Sequence, residues 1–152
     1  MSQPNKVSTF PDLGADLTGQ VIEASLEVHR ELGPGLLESV YEACLYQELL
    51  DKGLDVEKQL TLPVFYKGRI IDQGFRLDLL VNKRVLVEVK ACEAITPVHK
   101  AQILTYMRLS KTPVGLLINF NRKLLKDGIQ RFALAEFDEL QRQTELDRDS
   151  CD

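Results

Sequence analysis

The sequence predicts one α/β (α+β) domain, a mixed β-sheet flanked by helices, with elements in the order α-α-β-β-β-α-β. Three observations carry this. Two stretches with helical apolar spacing open the chain, Leu17–Leu32 and Leu36–Lys52. From Val56 to Ala91, strand-forming residues alternate with turn signals. After one further helix, the continuous apolar run Pro113–Phe120 reads as a strand covered on both faces. Helices grouped around such strands give a sheet with helices packed against it.

The first helix is written by Val21, Ala24, Val28 and Leu32, and stops at Gly33-Pro34-Gly35. In the second, Leu37, Val40, Tyr41, Cys44, Leu45 and Leu49 form the apolar face, and Gly53 caps the end. Val56–Tyr66 is a strand whose Pro63 argues for an edge position or a bulge. Lys67-Gly68 turns the chain into Arg69–Val81, with a kink at Gly74. Val85–Ala91 is the third strand. Pro97 opens a helix capped by Thr96 that runs to Ser110. Gly128–Leu134 is a candidate last strand. Residues 1–14 read as a mobile arm, 15–134 as the single domain and 135–152 as a charged tail.

Composition narrows the function classes. At 152 residues, with 44% hydrophobic and 28% charged content, the chain suits one globular domain. No apolar run approaches the ~18 residues of a membrane helix, and no secretory leader opens the chain, so a cytoplasmic protein without membrane contact is expected. Three widely spaced cysteines, Cys44, Cys92 and Cys151, fit reduced thiols and not a disulfide framework or zinc site. The net charge of -4 gives no global attraction to polyanions, so nucleic-acid binding would need a local basic patch or bound cations.

The most informative stretch is FRLDLLVNKRVLVEVK, Phe75 to Lys90. It reads as two apolar strands around a tight turn, interrupted by Asp78, Glu88 and Lys90. Alternation places Phe75, Leu77, Leu79 and Val81 on one face, with Arg76, Asp78 and Leu80 on the other. In the next strand Val85, Val87 and Val89 share a face, and Leu86, Glu88 and Lys90 the opposite one. A loop centred on Lys83 pairs Val81 with Val85, Leu79 with Val87 and Leu77 with Val89, and sets Asp78 opposite Glu88. Carboxylates ~5 Å apart repel by about 3 kcal/mol at an effective dielectric near 20. Lys90 offsets part of that, and a divalent cation far more. Two carboxylates with retained waters suit Mg²⁺. An amphipathic hairpin whose charged face meets solvent is the plain alternative.

Three further groups bear on that choice. Glu38, at the start of the second helix, either favours the helix dipole alone or points inward at a metal. His99, Gln102 and Tyr106 fall on one stripe of the crossover helix. That stripe either faces water or crosses the charged hairpin to bind phosphate or orient a water. His29 suits a helix C-terminal cation or a core hydrogen-bonder. The chain has no G-x-S-x-G, P-loop or Rossmann glycine pattern.

Together these residues resemble the PD-(D/E)XK nuclease superfamily, and more narrowly the GxxExxY family, whose motif reads here Gly35-Leu36-Leu37-Glu38-Ser39-Val40-Tyr41. GFRLDLLV, LVEVKA, TPVHKAQILTYM, VGLLINFN and LKDGIQRF extend the likeness from about Val21 to Phe132. Leu77 stands where the superfamily name has proline. The resemblance implies a restriction-endonuclease-like core and an enzyme that hydrolyses phosphodiesters of nucleic acid, DNA before RNA, with Mg²⁺ or Mn²⁺ as cofactor. It implies Asp78, Glu88, Glu38 and the Val89 carbonyl as metal ligands, and Asp78, Glu88, Lys90 and Glu38 as catalytic residues. Gln102-Ile103-Leu104-Thr105-Tyr106 matches a Q-x-x-x-Y motif of recombination-type members, so Gln102 and Tyr106, with His99, are expected to bind substrate. Many nucleases of this fold pair to cut two strands, which makes a homodimer an expected arrangement. Two rivals stay open: a catalytically silent nuclease fold that binds nucleic acid or protein, and an interaction protein whose polar stripe is merely solvated.

Overall fold

Five strands lie side by side in chain order in a computed structural model that describes residues 15–134 and Leu146. The expected arm, Cys151 and the rest of the charged tail lie outside the described residues. The elements are α1 (Ala15–Leu32), α2 (Glu38–Asp51), β1 (Val56–Tyr66), β2 (Arg69–Val81), β3 (Val85–Lys90), α3 (Pro97–Ser110), β4 (Val114–Asn119), a 3₁₀ turn (Leu125–Gly128) and β5 (Ile129–Ala133). β1, β2 and β3 pair antiparallel, β3 and β4 parallel, and β4 and β5 antiparallel. The sheet is mixed because α3 carries the chain back across it between β3 and β4. The candidate last strand forms as β5, beyond the seven elements of the expected order, held from Val114↔Ala133 to Ile118↔Ile129.

The two faces of the sheet are covered by different helices. Val85, Val87 and Val89 of β3 and Val114, Leu116 and Ile118 of β4 pack with Leu17, Val21, Ala24 and Val28 of α1 and Tyr41, Leu45 and Leu49 of α2. Leu86 and Leu117 point the other way, onto Ile103 and Met107 of α3. Each such side chain contributes roughly 1.5–3 kcal/mol by leaving water. β4 is buried at every position, as a two-sided strand must be.

α2 buries a narrower stripe than expected. Tyr41, Leu45 and Leu49 are fully buried, whereas Leu37 is 74% exposed and Val40 37%. The helix starts at Glu38, not Leu36, because residues 34–36 form a bend and Leu37 is still extended. Leu37 is therefore the N-cap and lies outside the apolar stripe.

Two irregularities shape the β1–β2 hairpin. Its register shifts between Leu62 and Val64, where Pro63 removes a ladder donor. A side chain at Gly74 would collide with the Leu62 carbonyl, which explains the glycine in that strand. The β2–β3 turn is tight: Asn82 and Lys83 both take left-handed φ, 49° and 54°, and Arg84 N–H donates to the Val81 carbonyl at 3.0 Å. Such a turn matches the twist of its strands.

Candidate active site

Beyond the turn, β2 and β3 pair as expected at Val81↔Val85, Leu80↔Leu86 and Leu79↔Val87, and there the ladder ends. The expected Leu77–Val89 pair does not form. Side chains have taken over the backbone's acceptor role: Val89 N–H donates to Asp78 Oδ2 at 2.9 Å, and Asp78 N–H donates to Glu88 Oε1 at 3.3 Å. Each carboxylate thus holds the opposite strand's amide, and the strands open around the pair.

The expected alternation along β2 also fails at this point. Leu79 and Val81 face α1 and α2, but Phe75 and Leu77 join Leu80 on the α3 side. β1 makes the same switch. Lys58 lies over the Tyr46 ring of α2, 4.7 Å from its centroid, while Leu60, Leu62 and Val64 pack on the α3 side. Gln59, at the change-over, has φ 50°, and the ladder skips the Gln59/Asp78 position between Lys58↔Leu79 and Leu60↔Leu77. A period-two reading cannot foresee such a kink, because it assumes unbroken pleating. Asp78 sits at the crossover itself.

Glu88 is 3% exposed and lies on the α3 face. Burial first, then the negative charge of Asp78, pushes its carboxyl up to about 9; Lys90 works against this. A carboxyl held that high is a site in want of positive charge. Lys90, half-buried, follows on the same face of β3, and its ammonium makes no ion pair among the described residues.

α2 brings a second acidic group to the site. Its first residue, Glu38, accepts from Ala91 N–H at 3.3 Å, so the helix start touches the end of β3. The preceding loop is fixed by Tyr41, fully buried and stacked on Phe120 at 4.7 Å. The Tyr41 hydroxyl donates to the Gly33 carbonyl and accepts from Leu36 N–H at 3.1 Å. Gly35 turns the chain at φ 105°, a conformation side chains rarely adopt. Glycine, glutamate and tyrosine thus act as one device that aims Glu38.

Glu42 was not foreseen as a site residue. Burial, then the charge of Asp78, holds its carboxyl above the ordinary range; the Gln59 hydrogen bond and Arg76 offset part of this, and Glu38 adds a smaller push. Gln59 Nε2 donates to Glu42 Oε1, tying α2 to the β1 kink. The signal available in sequence was the i, i+4 spacing of Glu38 and Glu42, a repulsive pair on one helix face.

On the other side of the sheet, Gln102 Nε2 donates to the Tyr106 hydroxyl at 3.2 Å, and the Tyr106 ring lies 5.0 Å from Phe75. The two expected partners are therefore brought together, three residues along β2 from Asp78. His99 serves the helix start. Its Nδ1 accepts from Thr96 N–H at 3.1 Å while its own N–H donates to Thr96 Oγ1, closing a capping box. His29 Nε2 contacts the Arg122 carbonyl at 2.8 Å at the end of α1.

The donor set fits a hard divalent cation, with Asp78 and Glu88 as a linked pair of oxygen donors and the Val89 carbonyl next in the chain. Among the described residues, no three acidic, histidine or cysteine side chains converge tightly enough to cage an ion. Glu38 and Glu42 border the pair without closing around it. Water and substrate oxygens would complete the shell, the usual condition of Mg²⁺. Among the described residues, no helix is long and apolar enough to cross a membrane.

Comparison with curated proteins yields no match. The sequence profile of the PD-(D/E)XK nuclease superfamily matches residues 15–132, from the start of α1 into β5. That span contains the acidic residue at the β2 kink, the Glu88-x-Lys90 of β3 and all three flanking helices, in a mixed sheet of restriction-endonuclease-like form. The chain belongs to the PD-(D/E)XK nuclease superfamily.

Proposed function

We propose that the protein is a divalent-metal-dependent nuclease acting on DNA, of the GxxExxY type within its superfamily. The observation that carries this is the reciprocal hold of Asp78 and Glu88 on each other's strand, with a buried Glu88 whose ionised form the protein compensates only in part, through Lys90. A fold that needed only stability would replace Glu88 by leucine.

Asp78 and Glu88, with the Val89 carbonyl and Glu38, would hold Mg²⁺ or Mn²⁺, which when bound supplies a water of lowered pKa and neutralises charge on the scissile phosphate. Lys90 orients the attacking water and stabilises the negative charge that grows on the phosphoryl oxygens. The water oxygen gives up a proton to solvent as it bonds to phosphorus, the bond to the leaving sugar oxygen breaks, and that oxygen takes up a proton from solvent. Gln102 and Tyr106, already bonded to each other, position the substrate backbone, and the Nε2 edge of His99 remains available to it. Asp78→Ala, Glu88→Ala and Lys90→Ala each abolish cleavage.

A second reading is a silent nuclease fold that binds nucleic acid or protein, favoured by the absence of a third converging carboxylate among the described residues. Purified protein with Mg²⁺ or Mn²⁺, assayed against labelled single- and double-stranded DNA and RNA, separates the two. Cleavage that EDTA stops supports the nuclease. No cleavage, together with no heat of Mg²⁺ or Mn²⁺ binding at millimolar concentration, supports the silent module.

A further inference from the structure

Next to Lys90 lies a polar cleft that the metal site does not use. It measures about 200 Å³, and its walls include Ile95, Asn119, Arg122, Asp127 and Gln130. At a water's share of about 30 Å³ it holds roughly six waters, close to the bulk of one heterocyclic base. Its place follows from register. Lys90 pairs with Asn119, and Glu88 with Leu117, which pairs in turn with Gln130. Leu117 packs on the α3 side with Leu86, so Gln130 stands in one row with Glu88, roughly 10 Å away at two strand spacings. The cleft opens beyond the carboxyl ends of the parallel pair β3–β4, where α/β sheets bind ligands.

Its lining is built and has polar groups to offer. Asn119, 1% exposed, fixes the wall: it accepts from Cys92 N–H and Asn121 N–H, both at 3.1 Å, and donates to the Cys92 carbonyl at 3.0 Å. By contrast the exposed Arg122 guanidinium and Asp127 carboxylate at the rim and the half-buried Gln130 amide make no side-chain hydrogen bond or ion pair among the described residues. A cation, an acceptor and an amide around a base-sized cleft match a nucleotide: Arg122 for a phosphate, Gln130 and Asp127 for a base edge.

We infer that this cleft is a nucleotide subsite that seats the residue adjoining the scissile phosphate, an assignment whose place in the reaction rests on the nuclease reading above. Arg122 binds the neighbouring phosphate, and Gln130 with Asp127 gives the cut a base preference.

The test titrates the full chain in EDTA with each deoxynucleoside 5′-monophosphate and, separately, inorganic phosphate, followed by NMR. Expected are millimolar binding with shifts at Arg122 and Gln130, unequal affinities among the four bases, at least tenfold weakening in Arg122→Ala and equalised affinities in Gln130→Ala. In cleavage assays Arg122→Ala raises KM about tenfold and leaves kcat near wild type. Absence of shifts, or phosphate alone binding as well as every nucleotide, overturns the subsite. So does active wild-type enzyme whose KM and cut-site preference survive both substitutions, which leaves the nuclease reading standing. If no substrate is cleaved but nucleotides bind as expected, the nuclease reading falls and the nucleotide site is upheld.

Discussion

The β2–β3 hairpin has two ends of opposite character. At the turn, Leu79, Val81, Val85 and Val87 are fully buried, the strands pair regularly, and the chain satisfies its own backbone. A few residues away pairing stops and the carboxylates of Asp78 and Glu88 hold the amides instead. The closed end supplies stability and register. The open end gives up some of that stability to bring two carboxyl groups together. The contrast shows how a site can sit inside a core: a rigid half sets the geometry of a strained half one pleat away.

If that division holds, substitutions at the open end should destroy activity with little unfolding. Lys90→Ala is the clearest case, because Lys90 is half-buried and its ammonium makes no ion pair among the described residues. Cleavage should fall by at least ~10²–10³-fold, as expected for a group that stabilises developing charge. The melting temperature should stay within a few degrees of wild type. Cleavage by purified Lys90→Ala at the wild-type rate would remove the role given to it.

The closed end should behave in reverse. Leu79→Ala leaves a cavity among valines and leucines of the core and should cost about 2–5 kcal/mol. Urea unfolding should show it, while the fraction still folded retains its metal dependence of cleavage. A loss below ~1 kcal/mol would mean that the turn end does not anchor the hairpin.

How much of this division was legible in sequence depends on which physics set it. Turn chemistry and apolar patterning gave the hairpin, its register near the turn, and Asp78 with Glu88 as neighbours. The Thr96 cap and Pro97 start of α3 were local signals too and stand as expected. The face switch at Asp78 was not legible, because it arises from Gln59 adopting positive φ on the neighbouring strand and from the α2 carboxylate that its amide engages. Glu42 was overlooked for the same reason: its surroundings are made by β1 and β2, distant in the chain. Leu37 misled because apolar spacing cannot tell a helix's first turn from the residues that lead into it, and Val40 because spacing alone does not show how far round the helix the core reaches.

Glu88→Gln tests the strain directly. A carboxyl raised from 4.5 to about 9 by folding is protonated in both states below pH 4.5, so it has no effect there. Between those values the unfolded chain releases a proton that the folded chain retains, and stability of the metal-free protein falls as pH rises. Glu88→Gln removes that slope and should be the more stable protein in EDTA at pH 8, by about 1–4 kcal/mol. Mg²⁺ should stabilise the wild type, by about 2.7 kcal/mol at a hundredfold excess over Kd, and leave the variant unmoved. Equal pH profiles for the two proteins in EDTA would show that Glu88 carries no such strain.

The smallest effect belongs to the turn itself. Lys83 holds φ 54° with an exposed side chain in the three-residue Asn82–Arg84 loop, a conformation that glycine adopts without a side-chain penalty. A non-glycine residue in the left-handed region costs about 1–2 kcal/mol, and glycine gives back part of the gain through its freer unfolded chain. Lys83→Gly should therefore stabilise the fold by about 0.5–1 kcal/mol, visible as a shifted urea midpoint at unchanged slope. Because the turn lies at the closed end, metal affinity and cleavage rate should not move. If instead Lys83→Gly altered metal affinity measurably, the turn and the opening at Asp78 would be mechanically coupled, and the two ends of the hairpin would have to be treated as one element.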